Sequence, residues 1–532
     1  MRRWRHAWAL TAAAVLAVGA CSSQSPGSSG SSGGQPVSGG TLTVVIPTDP
    51  GNLDPQQTSL QIDNELWPFA YDPLVNEAPN GTIVSGLATS WRQSGNSATF
   101  TLDKQATCAD GSKVTPSLVA ANIAYITNPK NHSPLAGTNL PPGVTAHASN
   151  ATGTVTMSWP KPYPFFLQQV AGVPIICPKG LANRSVLAHG TDGSGPYVLS
   201  QAVPNAQYTY TLRKHYTWGE GGASTAAKGQ PAKLVFKLVA NETTAANLLL
   251  AGSVNIAGVT GPDRSRLAAQ HVYNRAFLAN SGEMEFNETP GKPGSDENVR
   301  RALTMALNLP QLRSVITSGN GVAPTSLETI TPRPCHGDTV TGNVPSYSLA
   351  AAQRLLTADG WKPGPGGVRQ KNGKPLALTF IYGTSGGTPE ADASQLAVSE
   401  WAKLGVKVHV QPLSDTELSS VIFGTGNWDV GWVSLTTALP SETAPFFSGP
   451  VPPKGTNYEH ITNAAYNQLT AQATVKPGTT GCPLWNQAEE ALMKRVDVVP
   501  FAAQTQPIWA KNATFVVGSG GFVPTSLRLL AG

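Results

Sequence analysis

The sequence predicts an α/β protein with more than one packed unit, and three observations predict it. Its 532 residues exceed what a single hydrophobic core carries, so two or more lobes are expected. From residue 295 onward, helical patterns alternate with short apolar strands, the arrangement that gives parallel pairing through helical crossovers. The first half is richer in alternating, β-branched segments, and no repeat of roughly 20–50 residues marks a solenoid. Hydrophobic residues make up 40% of the chain, which suits a globular body. Charged residues are only 13%, the net charge is +5, and no basic run or stripe occurs, which argues against nucleic acid as a partner.

The N-terminus carries its own signal. Arg2, Arg3, Arg5 and His6 precede an apolar segment, residues 7–17, too short to span a bilayer. The small residues Val18, Gly19 and Ala20 lead to Cys21. This pattern resembles the lipobox of bacterial lipoproteins. The resemblance implies that residues 1–20 are a signal peptide and that Cys21 is lipidated, its acyl chains anchoring the protein to the membrane. Residues 22–40 contain only Ser, Gly, Gln, Pro and Val. They read as a tether with a reach of roughly 25 Å. No later segment offers about eighteen unbroken apolar residues. The body is therefore expected on the extracytoplasmic face of the cell membrane, held by lipid alone.

Four cysteines remain, an even number in an exported chain, and they allow three pairings. Cys108–Cys177 and Cys335–Cys482 are expected, because each pair closes within one half of the chain. There is no C-x-x-C and no His at finger spacing, so no structural zinc site is expected.

Thr41–Ile46 alternates and is β-branched, a strand ended by Asp-Pro and Gly-Asn. "NELWPFAYDPLV" reads as a short helix cut by Pro68 and Pro73. Asp110-Gly111 turns the chain into a helix from Pro116, with Thr115 as its cap. "ATGTVTMSW", "QYTYTLRKHY" and "AKLVFKLVA" read as strands, and "NETTAANLLLAG" as a helix ending at Gly252. "SDENVRRALTMALNLPQLRSVI" reads as one helix capped by Ser295. A second helix stops at Asp359-Gly360. "LALTFIYG" is a buried strand, followed by a helix, Gly405 and the strand "VKVHV". "WDVGWVSL" is a strand, and "CPLWNQAEEALMKRV" a late helix.

These segments, in this order, resemble the extracellular solute-binding proteins of dipeptide, oligopeptide and nickel ABC importers. The matching pieces include "GGTLTVVIPTDPGNLDP", "YDPLV", "GSGPYVL", "NLLLAGSVNIAG", "NVRRALTMALNLPQL", "WAKLGVKVHV" and "WDVGW", spread over roughly residues 39–510. The resemblance implies a two-lobed, periplasmic-binding-protein-like (type II) fold with an extra subdomain in lobe I. Lobe I is then 41–280 plus 500–532, and lobe II is 281–499. A ligand lies in the cleft between them and is buried when they close. It also implies a monomer that serves ABC permease subunits, with no cofactor.

Family contacts fall on three stretches. After "LDP", Ser59, Gln61 and Asp63 are candidates. In "SGEMEFNETP", Glu285 and Asn287 are. In "WDVGWVSLTT", Trp432, Ser434 and Thr436 are, and Thr384 and Ser385 sit on a loop expected to face the cleft. Peptide-binding relatives carry an aspartate about three residues beyond the Trp, to pair with a peptide ammonium. This chain has Leu435 there. Asp63, Glu285 or Glu442 is left to serve instead, and a peptide of about three to five residues held by its main chain is the expected ligand. Capture of haem or a metal chelate is the alternative, although no two of the nine His and five Met show i, i+4 helical spacing. The segment Gly383–Gly387 also matches the G-x-S-x-G of a serine hydrolase. Its downstream histidines are only His409 and His460, so no enzyme is expected. The absence of a G-x-x-x-x-G-K-[ST] loop leaves ATP hydrolysis to other subunits.

Overall fold

The computed structural model describes residues 34–58, 61–384, 387–435, 437–518 and 521–531. Its centre is an eleven-stranded sheet. One end is mostly parallel: Lys407–Leu413 pairs with Ala377–Gly383, which pairs with Val430–Trp432. Two long antiparallel strands follow, Tyr273–Phe286 and Val498–Ala510, paired from Tyr273 opposite Ala510 to Glu285 opposite Val498 with a register shift between Asn280 and Glu283. Beyond them lie Ile256–Gly258, Thr41–Ile46, Lys233–Leu238, Gln207–Leu212 and Tyr197–Val203. The two long strands therefore belong to both halves of the sheet.

Each half has its own apolar cores. Leu42, Val44, Phe69, Tyr210 and Phe236 fill one side of the first half, and Trp509 packs with Leu249 and Val259 on the other. A separate core around Phe100, Ile123, Val155 and Trp159 forms a subdomain, with the helix Pro116–Thr127 on the four strands Ala88–Ser94, Ser97–Leu102, Thr154–Ser158 and Thr145–Ser149. In the second half Leu303, Phe380, Trp401 and Trp432 form one core beneath the helices, and Phe447, Tyr466 and Leu492 form another.

Local chemistry explains the elements. Thr115 Oγ1 accepts the Leu118 N–H at 3.2 Å and starts the Pro116 helix as expected. Gly195 approaches the 70–71 backbone so closely that a Cβ there would lie 2.4 Å from the Ala70 carbonyl carbon. That close approach fixes the corner before Tyr197. Both expected disulfides are present, with Cα separations of 6.0 Å for Cys108–Cys177 and 5.0 Å for Cys335–Cys482.

Three expectations need correction. The body starts before residue 41: Val37 N–H donates to Leu529 O at 2.8 Å, Ala531 N–H to Gln35 O at 2.9 Å and Gly39 N–H to Gln230 O at 2.9 Å, so residues 35–40 dock on the C-terminal segment and on residues 229–233 instead of extending the tether. The cap of the first lobe II helix is Asp296, whose carboxylate accepts the Asn298 N–H at 2.9 Å, whereas Ser295 donates to Lys292 O. The single helix expected there is two, Glu297–Met305 and Leu309–Ile316, because Asn308 caps a new start ahead of Pro310.

Arg300, fully buried, ties this region to the second crossing strand. It donates to Val496 O, Gly294 O and Arg495 O at 2.9–3.0 Å and to Asp497 Oδ1 at 2.8 Å, with Glu288 at 3.4 Å. Arg300→Met leaves two buried carboxylates without their buried cation. It is expected to lower stability by about 3–5 kcal/mol, read as a fall in the urea midpoint. Adding Asp497→Asn and Glu288→Gln to that variant should restore part of the loss.

Candidate functional site

The junction of the halves is built from the crossing strands. Their register shifts at Asn280, Gly282 and Glu283. Gly282 is required there, because a Cβ would lie 2.5 Å from the Phe501 ring. Asn280 Nδ2 donates to the Glu283 carboxylate and to Leu435 O, the latter at 3.2 Å. Glu283 is fully buried, and its Oε1 has no partner among the described residues. Burial pushes its carboxyl from the ordinary 4.5 up to about 8. The same strand face carries Glu285, also fully buried, with both oxygens 2.7–2.8 Å from the Tyr458 hydroxyl. Glu459 is buried beside it, one oxygen accepting the Phe286 N–H at 3.3 Å. Burial raises both carboxyls well above the usual range, helped by the other carboxylates nearby.

A second contact joins the halves. The Gly478 N–H donates to Pro164 O at 2.6 Å, the rings of Phe165 and Trp485 lie 6.4 Å apart, and Gln169 Nε2 reaches Glu442 Oε1 at 3.5 Å. Phe165, Leu439, Ala473 and Trp485 form an apolar cluster with Cys335, and Cys482 packs against it, so the Cys335–Cys482 disulfide braces this clasp.

The candidate residues divide accordingly. Asn287 is buried and its side chain is filled: Nδ2 donates to Gly426 O and Trp428 O, and Oδ1 accepts from the Thr289 N–H and hydroxyl. Glu285 is held by Tyr458. These two therefore face protein instead of an open cleft. Trp432 is 3% exposed and packs on Phe380 and Phe501, and its Nε1 lacks a protein partner among the described residues. Ser434 is exposed just beyond it, and Leu435 is half-buried against the Phe447 core. Thr384 is exposed, its N–H bonded to Leu413 O. Gln61 begins the helix Gln61–Ala70. Asp63 lies in the first turn, buried, with one oxygen accepting from Thr58 Oγ1 at 2.7 Å and the other without a partner among the described residues. Ser59, Ser385 and Thr436, the side chain of Gln61, and Cys21 lie outside the described residues. His409 sits in the edge strand and His460 in a left-handed turn. Among the described residues no three His, Cys, Asp or Glu side chains gather into a metal-ligand set, and no helix is long and apolar enough to cross a membrane. Glu283, Asn280 and Tyr458 were not anticipated. The alternation of Glu283 and Glu285 in "GEMEF" was the available signal.

The chain matches the family described as bacterial extracellular solute-binding proteins, family 5 Middle, over residues 82–457. It belongs to that family of solute-binding proteins. Within it, the chain is 27% identical over 514 residues to the periplasmic murein peptide-binding protein MppA of Escherichia coli, covering 87% of this chain and 88% of MppA. Among solved structures, AppA of Bacillus subtilis in complex with a nonapeptide superposes with a TM-score of 0.70 at 17% identity, covering 93% of this chain and all of that one. NikA of Brucella suis in complex with Fe(III)-EDTA gives 0.74 at 20%, covering 92% and 99%. These two likenesses establish the fold.

The buried acids set a pH dependence. A carboxyl raised on folding favours the folded state below its unfolded value, and this contribution is lost as pH climbs through the folded value. For Glu283 the window runs from about 4.5 to about 8. Melting temperature is therefore expected to fall across that window, and Glu283→Gln should flatten the fall in a thermal scan series.

Proposed function

We propose that this protein is the lipid-anchored receptor of an ABC importer. It captures an oligopeptide outside the cytoplasmic membrane, closes its lobes over it and delivers it to a permease. Acylated Cys21 would hold it at the extracytoplasmic face, the segment after it giving reach towards the permease. The observation that carries the reading is the pair of strands shared by both halves in a chain of this family. Two lobes joined by so narrow a waist rotate while keeping their own cores, and rotation is what a capture-and-release protein needs. The murein peptide named for the MppA relative and the nonapeptide held by AppA support a peptide ligand. Main-chain contacts suit it, because every peptide offers the same donors and acceptors. With Leu435 where relatives keep a carboxylate, a peptide of about three to five residues remains our reading of ligand size. Candidate contacts are Ser59, Gln61, Asp63, Thr384, Ser385, Trp432, Ser434 and Thr436. The second reading, capture of a metal chelate, is favoured by the Fe(III)-EDTA bound to the NikA neighbour. No part of either reading is enzymatic.

Native mass spectrometry of the protein purified without denaturation tests the choice. Co-purified peptides of a narrow length range are expected, and recovery of an intact chelate would reverse it. Trp485→Ala removes the largest side chain of the clasp, so the unliganded protein should open, seen as an increased radius of gyration in solution scattering. Cys21→Ala should move the protein from the membrane fraction to the soluble one.

A further inference from the structure

The helix Gln61–Ala70 and the strand Gln207–Leu212 enclose a small recess with room for about one water-sized group. Its walls include Trp67, Tyr71, Tyr210, Thr191 and Asp63. Asp63 is 3% exposed, and its Oδ1 has no hydrogen-bond partner among the described residues. Thr58 Oγ1 holds the other oxygen, which orients the carboxylate. Among the described residues no Lys, Arg or His pairs with Asp63, and the charged neighbour that acts on it is another acid, Asp49. Asp49 itself is engaged by the Tyr208 hydroxyl at 2.9 Å and the Asn205 N–H. The walls are set: the Tyr71 hydroxyl accepts the Asp192 N–H at 3.2 Å, and the Tyr210 ring packs edge-on against Phe236 at 5.5 Å.

A buried carboxylate without a cation is costly, and its cost is removed when a cation arrives. Aromatic walls select the kind of cation. They attract an organic ammonium through the ring quadrupole and offer nothing to a strongly hydrated metal ion, which needs several oxygens around it. We propose that this recess receives a primary ammonium group of the ligand, paired with Asp63 Oδ1 and walled by Trp67, Tyr71 and Tyr210. The group has two sources in a peptide, its amino terminus or a lysine side chain. The inference rests on the peptide reading for the ligand and on the recess alone for the site. Burial that pushes the Asp63 carboxyl up to about 6 fits a group awaiting a counter-charge.

The test is titration calorimetry at about pH 7.5 on the whole protein and on Asp63→Asn, with tetra-alanine, its N-acetyl form and an N-acetylated tetrapeptide containing one lysine. Wild type should lose about 30-fold or more in affinity when the ammonium is removed, and Asp63→Asn should show no such preference. Weak binding of the N-acetylated lysine peptide assigns the amino terminus, and tight binding assigns the side chain. Asp63→Asn should melt no lower than wild type when unliganded, since it relieves an unpaired carboxylate. A lower melting point would mark a structural role and overturn the proposal. Equal binding of tetra-alanine, its N-acetyl form and the N-acetylated lysine peptide by wild type overturns it while leaving the peptide reading intact. If no peptide binds, the peptide reading falls and crystals soaked in methylammonium chloride decide: a methylammonium at Asp63 sustains the recess, and water there rejects it.

Discussion

Two antiparallel strands hold this molecule together. Tyr273–Phe286 and Val498–Ala510 pair along nearly their whole length, and both halves of the sheet grow outward from them. The consequence is mechanical. Each side has apolar cores of its own and the strands are the continuous backbone path between them, with the Phe165–Trp485 cluster as an apolar contact across the halves. A bend or twist in a two-strand ribbon moves whole lobes while disturbing few packed contacts. The register shift at 280–283 sits within this ribbon, and Gly282 at that point gives the neighbouring Phe501 ring its room.

The same ribbon carries a burden of acid. Glu283 and Glu285 alternate onto one face, and Glu459 is brought against them by hydrogen bonds from the Phe286 and Glu288 amides. Arg300 offsets Asp497 and Glu288, but the other three have no such partner among the described residues. Neutral carboxyls are the only inexpensive state for such groups, and neutral carboxyls both donate and accept. Burial therefore favours the protonated form of these carboxyls at the waist. It also explains why the Tyr458 hydroxyl sits between both oxygens of Glu285. As pH rises, keeping these carboxyls protonated costs more relative to the unfolded chain, so this layer lowers stability under alkaline conditions.

Much of the fold was legible because its signals are local. Thr115 before Pro116, the alternation of Thr41–Ile46 and the Asp359-Gly360 stop each act within a few residues, and the family order assembled them. Val498–Ala510 was not legible. Pro500 and Pro507 interrupt it, and proline argues against a central strand unless the pairing is irregular. Its pairing depends on a partner more than two hundred residues away. The docking of residues 35–40 was hidden for a similar reason, since Gly, Ser and Pro composition reports the lack of a core face and says nothing about backbone pairing with Leu529. At the site, residue types were readable but their environments were not. Asn287 and Glu285 have the chemistry of ligand contacts. Only the fold shows that Trp428 O, Thr289 and Tyr458 already occupy them.

Of the three carboxylates that the sequence left to replace the missing aspartate, packing alone separates them. Glu285 is closed in by a tyrosine. Glu442 belongs to the contact between the halves, facing Gln169. Of the three, Asp63 lines a recess and keeps an oxygen without a partner among the described residues, within the first turn of a helix whose N-terminal end already favours negative charge. The helix end and the Thr58 hydroxyl both favour the ionised form, whereas burial and Asp49 oppose it, so the group is poised near neutrality instead of being firmly charged or firmly neutral. A residue with only a packing role gains nothing from that balance. A residue that must exchange water for a cation does, because a small change in its surroundings decides whether the cation stays.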